Sequence, residues 1–302
     1  MTFKSLILAG AALAACGTAA AQSSVTIYGR VDLGFRHDSD PAASRNQVAN
    51  GSMNAVGFRG VEDLAAGLQA FFQLEHRLEA DVGTAHTPFW DEISIVGVRG
   101  GFGQVTLGRQ GGPYGVATDP DAFGGDTVGG RGERKAGADD KYNNSVVYWS
   151  PTMSGFSAGV GTSLGEGVQG RGTSAALKYA SGPILAAVSY ADRANDDRAY
   201  AVGGTYDFEA AKLFAGIARN DGKASGVERK TADFGVVVPV GAGSVRAKFN
   251  NDDINGTKTK NLGVGYWHDL SKRTMLYADY GNQNTDGVSR INRFDTGIRH
   301  NF

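Results

Sequence analysis

From Arg293 to Phe302 every second side chain changes character. Phe294, Thr296, Ile298, His300 and Phe302 fall on one parity, and Arg293, Asp295, Gly297, Arg299 and Asn301 on the other. A two-residue period places the two sets on opposite faces of a β-strand. A strand running to its last residue has no tail to protect its edge, so it needs a partner strand. The first such pattern after the amino-terminal region is a good partner: Val25, Ile27, Gly29, Val31, Leu33 and Phe35 oppose Thr26, Tyr28, Arg30, Asp32 and Arg36.

The same alternation recurs along the chain and predicts sixteen strands. The first three are the segment from Val25, a short one carrying Val56, Phe58 and Arg59, and the run from Leu68 to Glu79. Then come Ile93 to Arg99, Gln104 to Gln110, Asn144 to Ser150, Phe156 to Ser163, Thr173 to Ala180 and Ile184 to Ala191. Ala199 to Phe208, Lys212 to Arg219, Thr231 to Val240, Ser244 to Asn250, Lys260 to His268, Arg273 to Gly281 and Arg290 to Phe302 complete the set. Tight connections such as Gly100 to Gly103, Ser181 to Pro183 and Val240 to Gly243 alternate with longer polar ones, including Asn220 to Lys230 and Asn251 to Lys260. That rhythm is expected of an up-and-down antiparallel sheet with short turns at one end and long loops at the other.

Energetics decide between a soluble sandwich and a barrel in lipid. The polar parity carries Arg30, Arg59, Glu75, Arg77, Arg246 and Lys248, and a closed sheet holding these inside needs a wet lumen. The apolar parity then faces hydrocarbon, and closure satisfies every backbone donor and acceptor, as a bilayer demands. A mean hydropathy of -0.25 speaks against a helical membrane protein and not against a barrel, whose strands dilute each lipid-facing residue with a polar one. With a formal charge of -1 the chain lacks the basic excess of a nucleic-acid binder, and one cysteine in 302 residues allows no intrachain disulfide.

The first 21 residues read as a secretory signal peptide, with Lys4, an apolar run from Leu6 to Ala15, and Ala19-Ala20-Ala21 before Gln22; the barrel is then 22–302. Leu13-Ala14-Ala15-Cys16 also resembles a lipobox, the alternative start.

Six segments in order, "QSSVTIYG", "GFRGVEDLAAGLQAFFQLE", "FGQVTLGRQ", "NNSVVYWSP", "LSKRTMLYADYG" and "GIRHNF", resemble the general trimeric porins of Gram-negative outer membranes over nearly the whole chain after the signal. The resemblance implies an all-β fold, a 16-stranded antiparallel transmembrane β-barrel with its third loop folded into the lumen. It also implies a homotrimer in outer-membrane lipid and Phe302 as the signal read by the barrel assembly machinery. The activity implied is passive diffusion of small hydrophilic solutes and ions.

The longest strand-free segment, Gly111 to Asn143, suits such a loop, because long loops in compact folds are usually functional. Within it "DPDAFGGDT" resembles the porin loop tip, which places Asp119, Asp121 and Asp126 on the acidic side of a constriction. Parity nominates Arg30 and Arg59 for the facing basic wall, then Arg77, with Lys141 flanking the loop. Arg109 shares the parity of Val105 and Leu107 and ranks lower. Relatives commonly carry Arg and Asp in the "NSVRYDSP" stretch, where this chain has Val147 and Trp149, so one wall charge is missing. Opposed charges across a narrow pore make a transverse field that orients polar solutes.

Two other readings compete. A substrate-specific channel, for organic acids or sugars, would need a ladder of aromatics or arginines along the pore. An outer-membrane barrel enzyme would need a catalytic grouping, and no Ser, His, Asp set follows from the residue order. His37, His76, His86, His268 and His300 lack metal-ligand spacing, so neither metal nor cofactor nor catalytic residue is expected.

Overall fold

The structure, a computed structural model, describes residues 24–40, 44–124, 127–130, 141–165, 171–192, 197–222 and 225–302. The proposed signal peptide and Cys16 lie outside the described residues, as does Asp126. The first strands are β1 (Ser24–Ser39), β2 (Arg45–Asn50), β3 (Asn54–Asp63), β4 (Gln69–Glu79), β5 (Thr84–Ala85) and β6 (Ile93–Gly100). The middle of the chain gives β7 (Gly103–Gly111), β8 (Lys141–Trp149), β9 (Phe156–Ser163), β10 (Thr173–Ser181), β11 (Ile184–Asp192) and β12 (Asp197–Asp207). The last are β13 (Lys212–Gly222), β14 (Glu228–Val240), β15 (Gly243–Ile254), β16 (Thr257–Asp269), β17 (Thr274–Thr285) and β18 (Ile291–Asn301).

These make a closed antiparallel barrel of 16 staves. β2 and β3 pair in succession with β1, Leu33 to Asp38 against β2 and Ser24 to Arg30 against β3, so together they form one interrupted stave. β5 pairs only with the end of β4 and stands outside the ring. Closure comes from β1 against β18, with Arg30 opposite Asn301 through to Ser39 opposite Asn292. Phe302 extends the ladder: its N–H donates to the Gly29 carbonyl at 3.1 Å, and the Gly29 N–H donates back at 3.1 Å.

Burial is inverted relative to a water-soluble protein. Val25 is 67% exposed and Ile27 61%, while Asp32 is fully buried and Asp295 is 1% exposed. The outward set continues through Leu107, Val160, Leu177, Val202, Ile217, Phe234, Leu262 and Ile298, all exposed. Aromatic pairs ride the short-turn end of the outer face, Phe156 with Tyr179 at 4.7 Å and Tyr206 with Phe208 at 4.3 Å, as interfacial girdles do.

Two expected loops are largely strand. β13 and β14 stay paired out to Asp221 opposite Glu228, and β15 and β16 out to Ile254 opposite Thr257. The turn between the latter is only Asn255-Gly256, at φ 51° and 87°. Asn-Gly is the pair that adopts two successive left-handed residues readily, which lets a two-residue hairpin replace a loop.

Candidate functional site: the lumen and its inserted segment

The chain leaving β7 turns inward. A short helix, α1 (Gly115–Thr118), follows Pro113 and Tyr114. Tyr114 and Ala117 are buried against Ala187, Ala191, Ala199, Ala201 and Ala218. These alanines are the inward residues of β11, β12 and β13, since Val188, Val202 and Ile217 beside them are exposed outward. Small side chains on this stretch of wall leave room for a segment laid against it. Ser189 fixes it by donating its hydroxyl to the Tyr114 carbonyl at 2.9 Å.

Farther along, Ala122 and Phe123 pack on Trp267 and Tyr277 of β16 and β17. Val128–Gly130 forms a single 3-10 turn on the same wall. Its seat depends on missing side chains, because a Cβ on Gly263 would collide with the Gly129 carbonyl and one on Gly281 with the Val128 carbonyl. Wall side chains then satisfy the segment's backbone. Arg246 donates to the Ala122 carbonyl at 2.7 Å, Lys248 to the Gly130 carbonyl at 2.9 Å, and the Val128 N–H donates to Asp295 at 3.3 Å. Asp121 accepts the Phe123 N–H at 2.7 Å and ion-pairs with Lys248, which is itself buried.

The candidate acidic residues therefore separate. Asp119 follows α1 and is exposed, with its carboxylate folded back over Gly115. Asp121 belongs to the anchor through Lys248. Asp126 is outside the described residues. On the wall, Arg30 is half-buried and donates to Asn301 at 2.9 Å. Arg59 is exposed, its guanidinium carbon 5.1 Å from the Tyr28 ring centroid. Tyr28 is held by donating to Glu75 at 2.6 Å and accepting from Gln73 at 2.7 Å.

Arg77 and Lys141 meet on one carboxylate, that of Glu92. Arg77 lies 2.6 Å from Asp91 and 3.2 Å from Glu92, and Lys141 pairs with Glu92 as well. Burial on its own would raise the Asp91 carboxyl, but hydrogen bonds from the Arg77 backbone and guanidinium and the nearby charges outweigh it, holding Asp91 below the ordinary carboxylate range. Arg109 sits opposite Ser94 and donates to the Asp91 carbonyl and to Asn143.

Lys248 and Arg246 carry alternation that marks them as inward, yet their role as loop anchors has no sequence signal, since it depends on which segment lands there. Trp267 is flanked by two guanidinium groups, Arg246 at 3.7 Å and Arg299 at 4.7 Å from its ring centroid, with its indole N–H on Asp279 at 2.9 Å. Arg299 in turn pairs with buried Asp32 at 2.6 Å. Val147 is buried beside Pro113: a Cβ on Gly161 would stand 3.0 Å from both. Two Gly-x-Ser-x-Gly stretches, Gly155 to Gly159 and Gly161 to Gly165, fall on or beside β9, and among the described residues no helix follows them as a nucleophile elbow would need.

A closed ring with lipid-compatible residues outside, charges inside and a segment folded against the inner wall invites comparison with known barrels. The Gram-negative porin family profile matches residues 8–288. Outer membrane porin protein 32 of Delftia acidovorans is 33% identical, over 91% of this chain and 88% of the relative. An outer membrane porin protein of Bordetella pertussis is 29% identical, over 99% of this chain and 100% of the relative. Among solved structures, the anion-selective porin from Comamonas acidovorans superposes with a TM-score of 0.81 at 27% identity, covering 93% of this chain and 100% of that one. Salmonella typhi OmpF, in a complex with daunomycin, shares the fold at a TM-score of 0.71 and 16% identity, over 92% of this chain and 97% of that one. This chain belongs to the Gram-negative porins: it is an outer-membrane barrel whose water-filled lumen passes small hydrophilic solutes by passive diffusion.

Proposed function

We propose that this porin prefers small anions, and that the preference is set on the wall away from the inserted segment. The observation that carries this is a pair of exposed guanidinium groups on the inward face. Asp32, Asp91, Glu92, Asp121 and Asp295 each face an arginine or lysine partner. Arg59 and Arg99 are exposed on the inward parity and make no ion pair among the described residues. A paired charge projects little field into water, whereas an unpaired guanidinium in a narrow, low-dielectric passage projects far more. The anion selectivity of the Comamonas porin supports the same direction.

In this reading Asp119, Asp121 and Asp126 form the acidic side of the constriction and Arg30 and Arg59 the basic side, while Arg77 and Lys141 serve the carboxylate cluster at Asp91 and Glu92. The protein works as a homotrimer, residues 1–21 direct export, and Phe302 is read during assembly. The test is the reversal potential of single channels in a KCl gradient. The wild type should reverse on the chloride side, and Arg59→Gln should move it towards zero. A potassium-side reversal in the wild type defeats the proposal.

A further inference from the structure

Arg99 occupies an unusual position at the short-turn mouth. It lies opposite Gln69 on β4 and Gln104 on β7, and Gln104 lies opposite Trp149 on β8, so Arg99, Gln104 and Trp149 form a row on one face. Their strand neighbours Val98, Val105 and Tyr148 take the other face, and exposed Val98 and Leu107 mark that face as the lipid side. The row therefore faces the lumen. Adjacent strands stand about 4.8 Å apart, so the row spans roughly two strand spacings. Around it is a pocket of about 410 Å³ lined also by Gly67, Gly100, Gly103 and Ser150, a size that suits a small organic ligand.

The guanidinium is held in place with no ion-pair partner among the described residues. Its Nε donates to Gln69 at 2.8 Å, and its carbon lies 5.3 Å from the Phe71 ring centroid. Gln69 is oriented by donating its own amide to Asp63 at 2.7 Å, which turns its carbonyl towards Arg99. The two terminal amino groups of Arg99 are left for a guest, in the planar geometry that matches a carboxylate. Trp149 has one face against the backbone of Gly159, where a Cβ would lie 2.8 Å from the ring, and the rest of the indole lines the pocket.

We propose that this pocket binds small aromatic monocarboxylates, the carboxylate on Arg99 and Gln104 and the ring on Trp149. A single cation in the row favours one negative charge over a polyanion, and the indole favours a flat ring over an aliphatic chain. The site is distinct from the constriction and depends on the channel reading only because the guest reaches it through the lumen.

Sodium benzoate, added to the chamber facing the short-turn mouth of a single channel in KCl, tests this, with sodium acetate as the ringless control. Benzoate should interrupt the current in a dose-dependent way and acetate should not. Arg99→Gln should raise the half-blocking concentration about tenfold, the loss of one charge-assisted hydrogen-bonding group. Gln104→Glu, which leaves Arg99 in place but supplies a competing carboxylate, should do the same, so a misfolding arginine variant does not leave the matter open. Equal benzoate block in wild type and both variants, or equal block by acetate, overturns the site. The KCl conductance of the same channels is read separately: its persistence without benzoate block removes the pocket and leaves the porin, while a wild type without stepwise conductance removes the porin reading itself.

Discussion

Single residues show how a wall and a loop can specify one another. Lys248 is 3% exposed and answers Asp121 and the Gly130 carbonyl together. Asp121→Asn removes one carboxylate from that buried ammonium and should loosen the docked segment. The reversal potential in a salt gradient should then move towards anions; an unchanged value places Asp121 outside the ion path. Gly263 tests the steric half of the same contact. Gly263→Val must displace Val128–Gly130, at about 1–3 kcal/mol by the usual scale of overpacking, and single-channel conductance should rise as the segment swings off the wall. A conductance equal to wild type defeats that expectation. Neither pairing could be read from the chain alone. Lys248 and Gly263 alternate correctly, so their inward face was legible, but the alternation is blind to a segment more than a hundred residues earlier.

At the scale of elements, the pattern was legible wherever the two faces meet different solvents. The sixteen staves lie where the sequence places them, since a one-residue slip would carry charges into hydrocarbon; β7 departs from strict alternation at Gly108 to Gln110, where its register against β8 shifts and Arg109 leaves the parity of Val105 and Leu107. Ends were harder to read. Strands that continue past the membrane into water lose the contrast between faces, which is why β13 to β16 run on through segments whose composition resembles loop. The Asn255-Gly256 pair was the available sign of that hairpin. Element-scale chemistry also bears on pH. Asp91 lies in the connection between β5 and β6 and is hydrogen-bonded by Arg77, with His86 at 3.3 Å. Its carboxyl is held below its ordinary value, so the clamp's stabilisation is present above that value and is lost as the pH falls below about 4. Limited proteolysis should cut the 80–92 connection faster at pH 3 than at pH 7, and Asp91→Asn should abolish the difference. Equal cleavage at both pH values refutes the clamp.

For the whole molecule, closure is the decisive property. The seam from Arg30–Asn301 to Ser39–Asn292 removes the last unpaired edge, and the Phe302 ring covers Gly29, where any Cβ would strike it. Gly29→Val should therefore loosen the seam, seen as a lower temperature for the shift from folded to unfolded mobility in a semi-native gel; an identical transition temperature shows that the seam tolerates the ring elsewhere. The inverted burial has a further consequence. With its oily residues outermost, the folded chain has no native state in plain water: the native object is protein plus the amphiphiles that coat it. Any melting curve or unfolding free energy thus belongs to that pair, and changing the detergent or lipid is as much a perturbation as changing a residue.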